Sequence, residues 1–141
     1  MENDAVMQNV VIDTNVIVSA FLSSNKDAAT VLVLKKLYRN ELKIYYSIKV
    51  LEEYKDVLNR NKFGFDKKEI NRFISFILKN GEKVVPAKSK EEFVDKKDLP
   101  FYEIVMDKET QNCKLITGNI KHFPLKTFIM TPAEFIWTFG K

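Results

Sequence analysis

Three carboxylates, Asp13, Glu53 and Asp98, stand at or within a turn of the starts of helical patterns. Asp13 follows the apolar run Val10–Ile12 and precedes Thr14-Asn15 and a new apolar pattern, VVIDTNVIVSA over residues 10–20. That reads as a buried parallel strand ending in a carboxylate, with a helix opening at once. Ligands of open α/β sheets bind just beyond the carboxyl ends of the strands. An aspartate there can hold a phosphate-bound metal ion. It can equally cap the helix, since Asp, Thr and Asn all cap well.

Glu53 belongs to a helix whose buried stripe is Val50, Leu51, Tyr54, Val57 and Leu58. It borders that stripe, whereas Glu52 points away. A carboxylate beside a core stripe costs desolvation unless it is paired or bound to a cation. Asp98 stands before Pro100 at the mouth of a further helix, where it is either a ligand or an N-cap. Asp95 is a second ligand or a plain loop acid. Carboxylates gathered together repel and raise one another's pKa, a conflict that a divalent cation resolves. Mg²⁺ and Mn²⁺ prefer oxygen donors. Such an ion can bind a phosphate oxygen, acidify water and steady a leaving oxygen, which is phosphodiester hydrolysis chemistry. The chain has no Walker motif, Gly-rich phosphate loop or GxGxxG, which disfavours nucleotide-dependent activities.

The elements that must position these acids are legible from periodicity. Strand one covers about 9–13, and helical spacing follows through Val16, Ile17, Ala20 and Phe21 to a break at Ser23-Ser24-Asn25. Asp27 is the expected cap of a second helix ending near Asn40. Residues 43–47 read as strand two, and Ser47 caps the helix that carries Glu53. Asp66 and Glu69 predict a capping box for a fourth helix with the stripe Ile70, Phe73, Ile74, Ile77 and Leu78, closed by Gly81. Lys83–Val85 is a third strand stopped by Pro86, and 87–97 a lysine-rich surface loop. A fifth helix buries Phe101, Ile104 and Val105, with Glu103 and Asp107 facing solvent. Lys114–Thr117 and Phe128–Met130 are the last strands. Thr131, Pro132 and Glu134 open a final helix that Gly140 ends. The order β-α-α-β-α-α-β-α-β-β-α implies α/β architecture with helices on both faces of a mostly parallel sheet of about five strands.

At 141 residues the chain is expected to form one domain, 1–141, and its 45% hydrophobic content is globular. No apolar run approaches a membrane span, and the polar start MENDAVMQN is no signal peptide. A single cysteine, Cys113, excludes an internal disulfide or a Cys-based zinc site and fits a cytoplasmic protein; nothing beside it activates the thiol. The net charge of +4 is compatible with a nucleic-acid partner without establishing one. Among the aromatics of the final helix, Phe135, Trp137 and Phe139, core packing or a subunit interface is favoured over base stacking.

The chain resembles the PIN-domain nucleases, in particular their bacterial toxin branch, from Val10 to about Phe135. VVIDTNVIVSA is similar to the opening motif, with Asp13 as first metal-binding acid and Asn15 and Ser19 as polar neighbours. SIKVLEEYKDVL is similar to the second motif, whose acid falls on Glu53. DKKDLPFYEIV resembles the third, with Asp98 in the acid position, and KLITGNIKHF the fourth. The family usually has an aspartate after Thr-Gly; here it is Asn119, whose carbonyl oxygen can still face a metal or water without negative charge. The resemblance implies a three-layer α/β/α PIN-like fold and an RNA-cutting enzyme in which Asp13, Glu53, Asp98 and Asn119 hold Mg²⁺ or Mn²⁺. It also implies a small antitoxin partner and a homodimer. Thr117 would orient a ligand or water, or end its strand. His122 and Lys121, with Lys96 or Lys97, are candidate phosphate contacts. The alternatives are a PIN-like nucleic-acid-binding module that has lost catalysis, which Asn119 motivates, and a metal-dependent phosphatase. The phosphatase would want a second acid close after Asp13, which Thr14-Asn15 does not supply.

Overall fold

The computed structural model describes residues 7–89 and 95–140. Most of the polar N-terminal stretch (1–6) and the middle of the 87–97 loop (90–94) lie outside the described residues. The elements are β1 (Gln8–Ile12), α1 (Thr14–Leu22), α2 (Ala29–Tyr38), β2 (Leu42–Tyr46), α3 (Ile48–Leu58), α4 (Lys67–Asn80), β3 (Glu82–Lys83), α5 (Leu99–Asp107), β4 (Lys114–Ile116), β5 (Ile129–Met130) and α6 (Pro132–Phe139). Short 3₁₀ turns cover Glu109–Gln111 and Ile120–His122.

The strands form one sheet in the order β3-β2-β1-β4-β5, and every pairing is parallel. The expected α/β architecture is therefore met. β1 is central, so Val10, Val11 and Ile12 are fully buried and read as a continuous apolar run. From β1 the chain builds outward through β2 and β3, then returns to add β4 and β5 on the other side. The direction of winding thus switches between β1 and β4. The chain leaves β1 through α1 and β4 through the Ile120–His122 turn, toward opposite edges of the sheet, and a switch point of this kind opens a crevice at the carboxyl ends. Asp13 leaves β1 and Thr117 leaves β4 at this crevice.

α5 packs across β1, β2 and β4, α2 against α1 and α6, and α3 against α4, α1 and α5. The Tyr54 side chain is fully buried, and its hydroxyl donates to the Ile12 carbonyl. This bond ties α3 to the end of β1 and brings the preceding residue, Glu53, to the crevice. Among the described residues no helix is long and apolar enough to cross a membrane.

Several local expectations are corrected. Ala28, not Asp27, occupies the N-cap position of α2. Asp66 accepts from the Lys68 N–H at 2.9 Å, a simple cap in place of a box with Glu69. The box forms instead at Thr131 and Glu134. Leu78, assigned to the buried stripe of α4, is exposed, while Ile70, Phe73, Ile74 and Ile77 are buried. The third strand is Glu82–Lys83 rather than 83–85, because only these residues find register with β2. Val84 adds one backbone bond to the Tyr46 carbonyl at 2.8 Å, and Val85 is then exposed.

Gly81 closes α4 against β2. A Cβ there would sit 2.7 Å from the Ile77 carbonyl oxygen and 3.0 Å from that of Ile44. Backbone atoms on both sides cannot yield cheaply. Gly81→Ala should therefore destabilise the fold by about 1–3 kcal/mol, the usual range for overpacking. The expected observation is a lower urea midpoint at an unchanged m-value.

Candidate metal centre

Asp13 occupies the N-cap position of α1 without a capping bond of full geometry, although the Asn15 N–H lies near enough to favour its charged form. The carboxylate turns into the crevice. Its Oδ2 accepts from the Thr117 hydroxyl at 2.7 Å, and both residues are buried. Thr117 Oγ1 in turn accepts from the Asn119 N–H at 2.9 Å. One hydroxyl thus bridges the end of β1 and the turn after β4. With Thr117 fully buried, it can reach Asp13 but not a substrate.

Glu53 is half-buried and Glu52 exposed, in keeping with their places on the helical wheel. Glu53 Oε2 accepts from the Thr14 hydroxyl at 2.6 Å. Asp98 also stands at an N-cap position without capping. Its Oδ2 lies 3.0 Å from His122 Nδ1, with the Asp98 side chain nearly buried and the imidazole half-exposed. Donor atoms of Asp95, Asp98 and His122 all lie within 4.8 Å of one another.

Asp13, Glu53, Asp98 and Asn119 line a single cleft of about 250 Å³, together with Thr14, Asn15, Phe63, Asp95, Lys97 and His122. Burial pushes the Asp13 carboxyl up to about 6. The Thr117 hydroxyl opposes this, and the charges of Asp98 and Glu53 add to it. Asp98 is raised as well, chiefly by burial, with His122 pulling the other way. The Tyr54 hydroxyl is held well above its usual range by burial and by the same two neighbours, Asp13 and Glu53.

Not every candidate residue reaches the cleft. Asn15 lines it, and its Oδ1 accepts from the Gly118 N–H at 3.4 Å. Ser19 is exposed outside the lining, 3.4 Å from the Thr30 hydroxyl. Lys97 lines the cleft; Lys96 does not. Lys121 faces a separate groove of about 890 Å³ beside Leu125, Lys126 and Trp137. Phe135 is buried and packs on Phe139 with centroids 4.8 Å apart, but Trp137 is 89% exposed, so core packing does not account for it. Glu103 is half-buried rather than solvent-facing and accepts from the Ser89 N–H at 3.0 Å. The Cys113 thiol is buried and pushed up to about 12, which leaves it unreactive.

Sequence reasoning missed three features of the cleft. Thr14 was legible only as a capping residue. The pairing of His122 with Asp98 spans 24 positions and has no local signature. Phe63 was visible only as part of a turn with Gly64.

The donors suit a hard divalent cation. Carboxylate and amide oxygens predominate, and Asp13 is buried with hydroxyl and backbone donors as its neighbours rather than a cationic side chain. Among the described residues the one group of three or more with donor atoms within 4.8 Å of one another is Asp95, Asp98 and His122, while Asp13 and Glu53 line the same cleft without joining that group. A cation shared along the cleft would relieve the repulsion among its carboxylates.

The family model described as PIN domain matches residues 9–121. No curated protein matches the chain.

Proposed function

Because this chain belongs to the PIN-domain family, whose members are generally nucleases and typically use divalent metals, we propose that it is a metal-dependent ribonuclease. The observation that carries this reading is the meeting of Asp13, Glu53 and Asp98 in one cleft at the switch point of the parallel sheet. These three would hold Mg²⁺ or Mn²⁺, with the Asn119 amide oxygen completing the set. When bound, such a cation supplies Lewis acidity toward a phosphate oxygen and lowers the pKa of water.

The chain's own residues do the positioning. Thr117 fixes the rotamer of Asp13, Thr14 that of Glu53, and His122 that of Asp98. Bonds that orient a metal-binding side chain in this way typically matter about 10- to 100-fold in metal affinity or activity. Asn15 and Lys97 border the cleft and would contact the phosphates flanking the scissile bond. Lys121 would meet RNA only beyond the cleft, where its groove begins. In this reading the chain is the toxin of a toxin–antitoxin pair, held inactive by a small protein partner, and works as a homodimer; family resemblance is the support for both partners.

The test is cleavage of single-stranded and structured RNA by purified protein, with metal titrated in. Cutting should require Mg²⁺ or Mn²⁺ and stop in EDTA. EDTA-treated protein that cuts at the untreated rate would overturn the mechanism.

One observation favours a second reading, a nucleic-acid-binding module without efficient catalysis: Asn119 lines the cleft where an aspartate would add a charge. Asn119→Asp should therefore tighten Mg²⁺ or Mn²⁺ binding and lower the melting temperature of the metal-free protein, because a further carboxylate joins a repelling group. Calorimetric titration with paired thermal melts measures both. Unchanged affinity and an unmoved metal-free melt would mean that residue 119 does not share the metal.

A further inference from the structure

We infer that Phe63 is a base-stacking platform at the mouth of the acidic cleft, and that it takes an unpaired nucleotide of single-stranded RNA beside the scissile phosphate. This rests on the reading of the cleft as a ribonuclease site and adds the form of the substrate. Phe63 lines the cleft with Asp13, Glu53 and Asp98. It is the one phenyl ring of a wall that carries four carboxylates, with Val18 and Val57 as its aliphatic members and the His122 imidazole as its other ring, and it is only half-buried.

The ring is held in place from behind. Phe63 stacks on Phe65 with centroids 5.1 Å apart and planes at 6°. Phe65 meets Phe21 edge-on at 5.1 Å, and Phe21 meets the fully buried Phe73 at 6.2 Å. A chain of aromatic contacts thus anchors the platform to the core. Gly64, at φ +61°, supplies the left-handed residue that lets the turn present Phe63 and Phe65 as parallel rings. The Phe63 N–H donates to the Arg60 carbonyl at 3.1 Å and fixes the turn to the end of α3. A platform that is ordered beforehand loses little entropy when a base lands on it.

The charge around the ring matches the ligand. The ammonium of exposed Lys62 lies 5.1 Å from the Phe63 centroid. A surface cation–π contact of this kind is weak. A base can displace it, which leaves the ammonium beside the adjoining phosphate. Aromatic faces with a neighbouring cation are how proteins hold single strands, tolerant of sequence because every base has a π-face. Bases inside a duplex are already stacked and cannot offer that face.

The competing role for Phe63 is to cover Phe65, as scattered surface apolars do, and two substitutions separate it from stacking. Phe63→Leu keeps an apolar cover and removes the π-face, and Phe63→Trp keeps both. The probe is a fluorescein-labelled single-stranded RNA octamer with phosphorothioate linkages to slow hydrolysis, read by anisotropy with Mn²⁺ present. A matching series carries one abasic nucleotide at each position in turn. For the unmodified protein, one abasic position should weaken binding about 5- to 100-fold. Phe63→Leu should weaken binding of intact RNA by a similar factor and be indifferent to the abasic site at that position. Phe63→Trp should bind at least as tightly as the parent. Thermal melts of the three proteins establish that they are equally folded.

Parent-like binding by Phe63→Leu would overturn the inference, as would leucine and abasic penalties that simply add. Cleavage of unmodified RNA is followed in parallel to keep the two readings apart. Cutting with binding indifferent to residue 63 removes the platform alone. Phe63-dependent binding without cutting in either metal keeps the platform and removes the hydrolase. A parent protein that binds no RNA overturns both.

Discussion

Asp13→Asn should abolish metal-dependent cleavage and at the same time stabilise the metal-free protein. Loss of activity should be at least about 100-fold, since removing even an outer-shell partner of a metal ligand costs 10- to 100-fold. The gain in stability follows from burial. Asp13 is 4% exposed and its carboxyl is pushed from 3.8 up to about 6, chiefly by desolvation. A carboxyl whose folded pKa is raised binds its proton more tightly in the native state than in the unfolded chain. Its contribution to stability is therefore highest at low pH and falls as pH rises from about 4 to about 6. Above that window the charged form costs about 3 kcal/mol, from about 1.4 kcal/mol per pH unit of displacement. Asparagine removes the charge and keeps an oxygen to accept the Thr117 hydroxyl. The metal-free variant should be about 2–3 kcal/mol more stable at pH 7, and the advantage should vanish near pH 4. Urea titrations in EDTA at the two pH values measure it. Were Asp13 only a helix cap, asparagine would cap as well and activity would not move, while the gain in stability, which comes from burial, would remain. A variant that keeps its activity would return Asp13 to that role, and one that gains no stability at pH 7 would overturn the buried charge.

The second large effect belongs to Thr117. At limiting metal, a proton on Asp13 competes with the ion, so cleavage should fall about tenfold per pH unit below about pH 6. Saturating metal should move this limb to lower pH. Thr117→Val removes the hydroxyl that donates to Asp13 and accepts from Asn119. The carboxyl should then titrate higher still, and the limb should shift up in pH. Stability at pH 7 should drop by about 2–3 kcal/mol, because a buried charge and a backbone N–H both lose a partner. Thr117→Ser retains the hydroxyl and should restore the parent profile. The comparison separates an orienting bond from a packing contact, since serine lacks the methyl that valine supplies. If valine and serine shift the limb equally, the hydroxyl is not what sets Asp13.

How much of this was legible beforehand varies by residue. The placement of Asp13 at the end of a buried strand followed from Val10, Val11 and Ile12, because a strand covered on both faces is apolar at every position; that the strand is the central one was decided by the sheet order. The border position of Glu53 followed from helical periodicity, and it lies half-buried where Glu52 is exposed. Alternating strand and helix patterns implied the parallel sheet, and Asn119 stood out as an amide where an acid is usual. Strand ends were less legible. Ser47 and Thr117 share the composition of the strands they follow, and only hydrogen-bond register decided that they lie outside them.

The sequence by itself determined the ingredients: which face of each element is apolar, where each strand meets its helix, and which acids stand at those junctions. The tertiary structure alone decided what those acids do. Asp13 and Asp98 each had a helix to cap one residue away, and each turned instead to a partner 104 and 24 positions off, Thr117 and His122. Lys121 and His122 are neighbours in the chain, yet His122 lines the cleft and Lys121 a separate groove. Periodicity records which side of an element meets the core, because burial rewards every residue on that side. It does not record which distant side chain will be within 3 Å of a given oxygen, because that distance is set by how the strands are ordered and how tightly the helices pack across them.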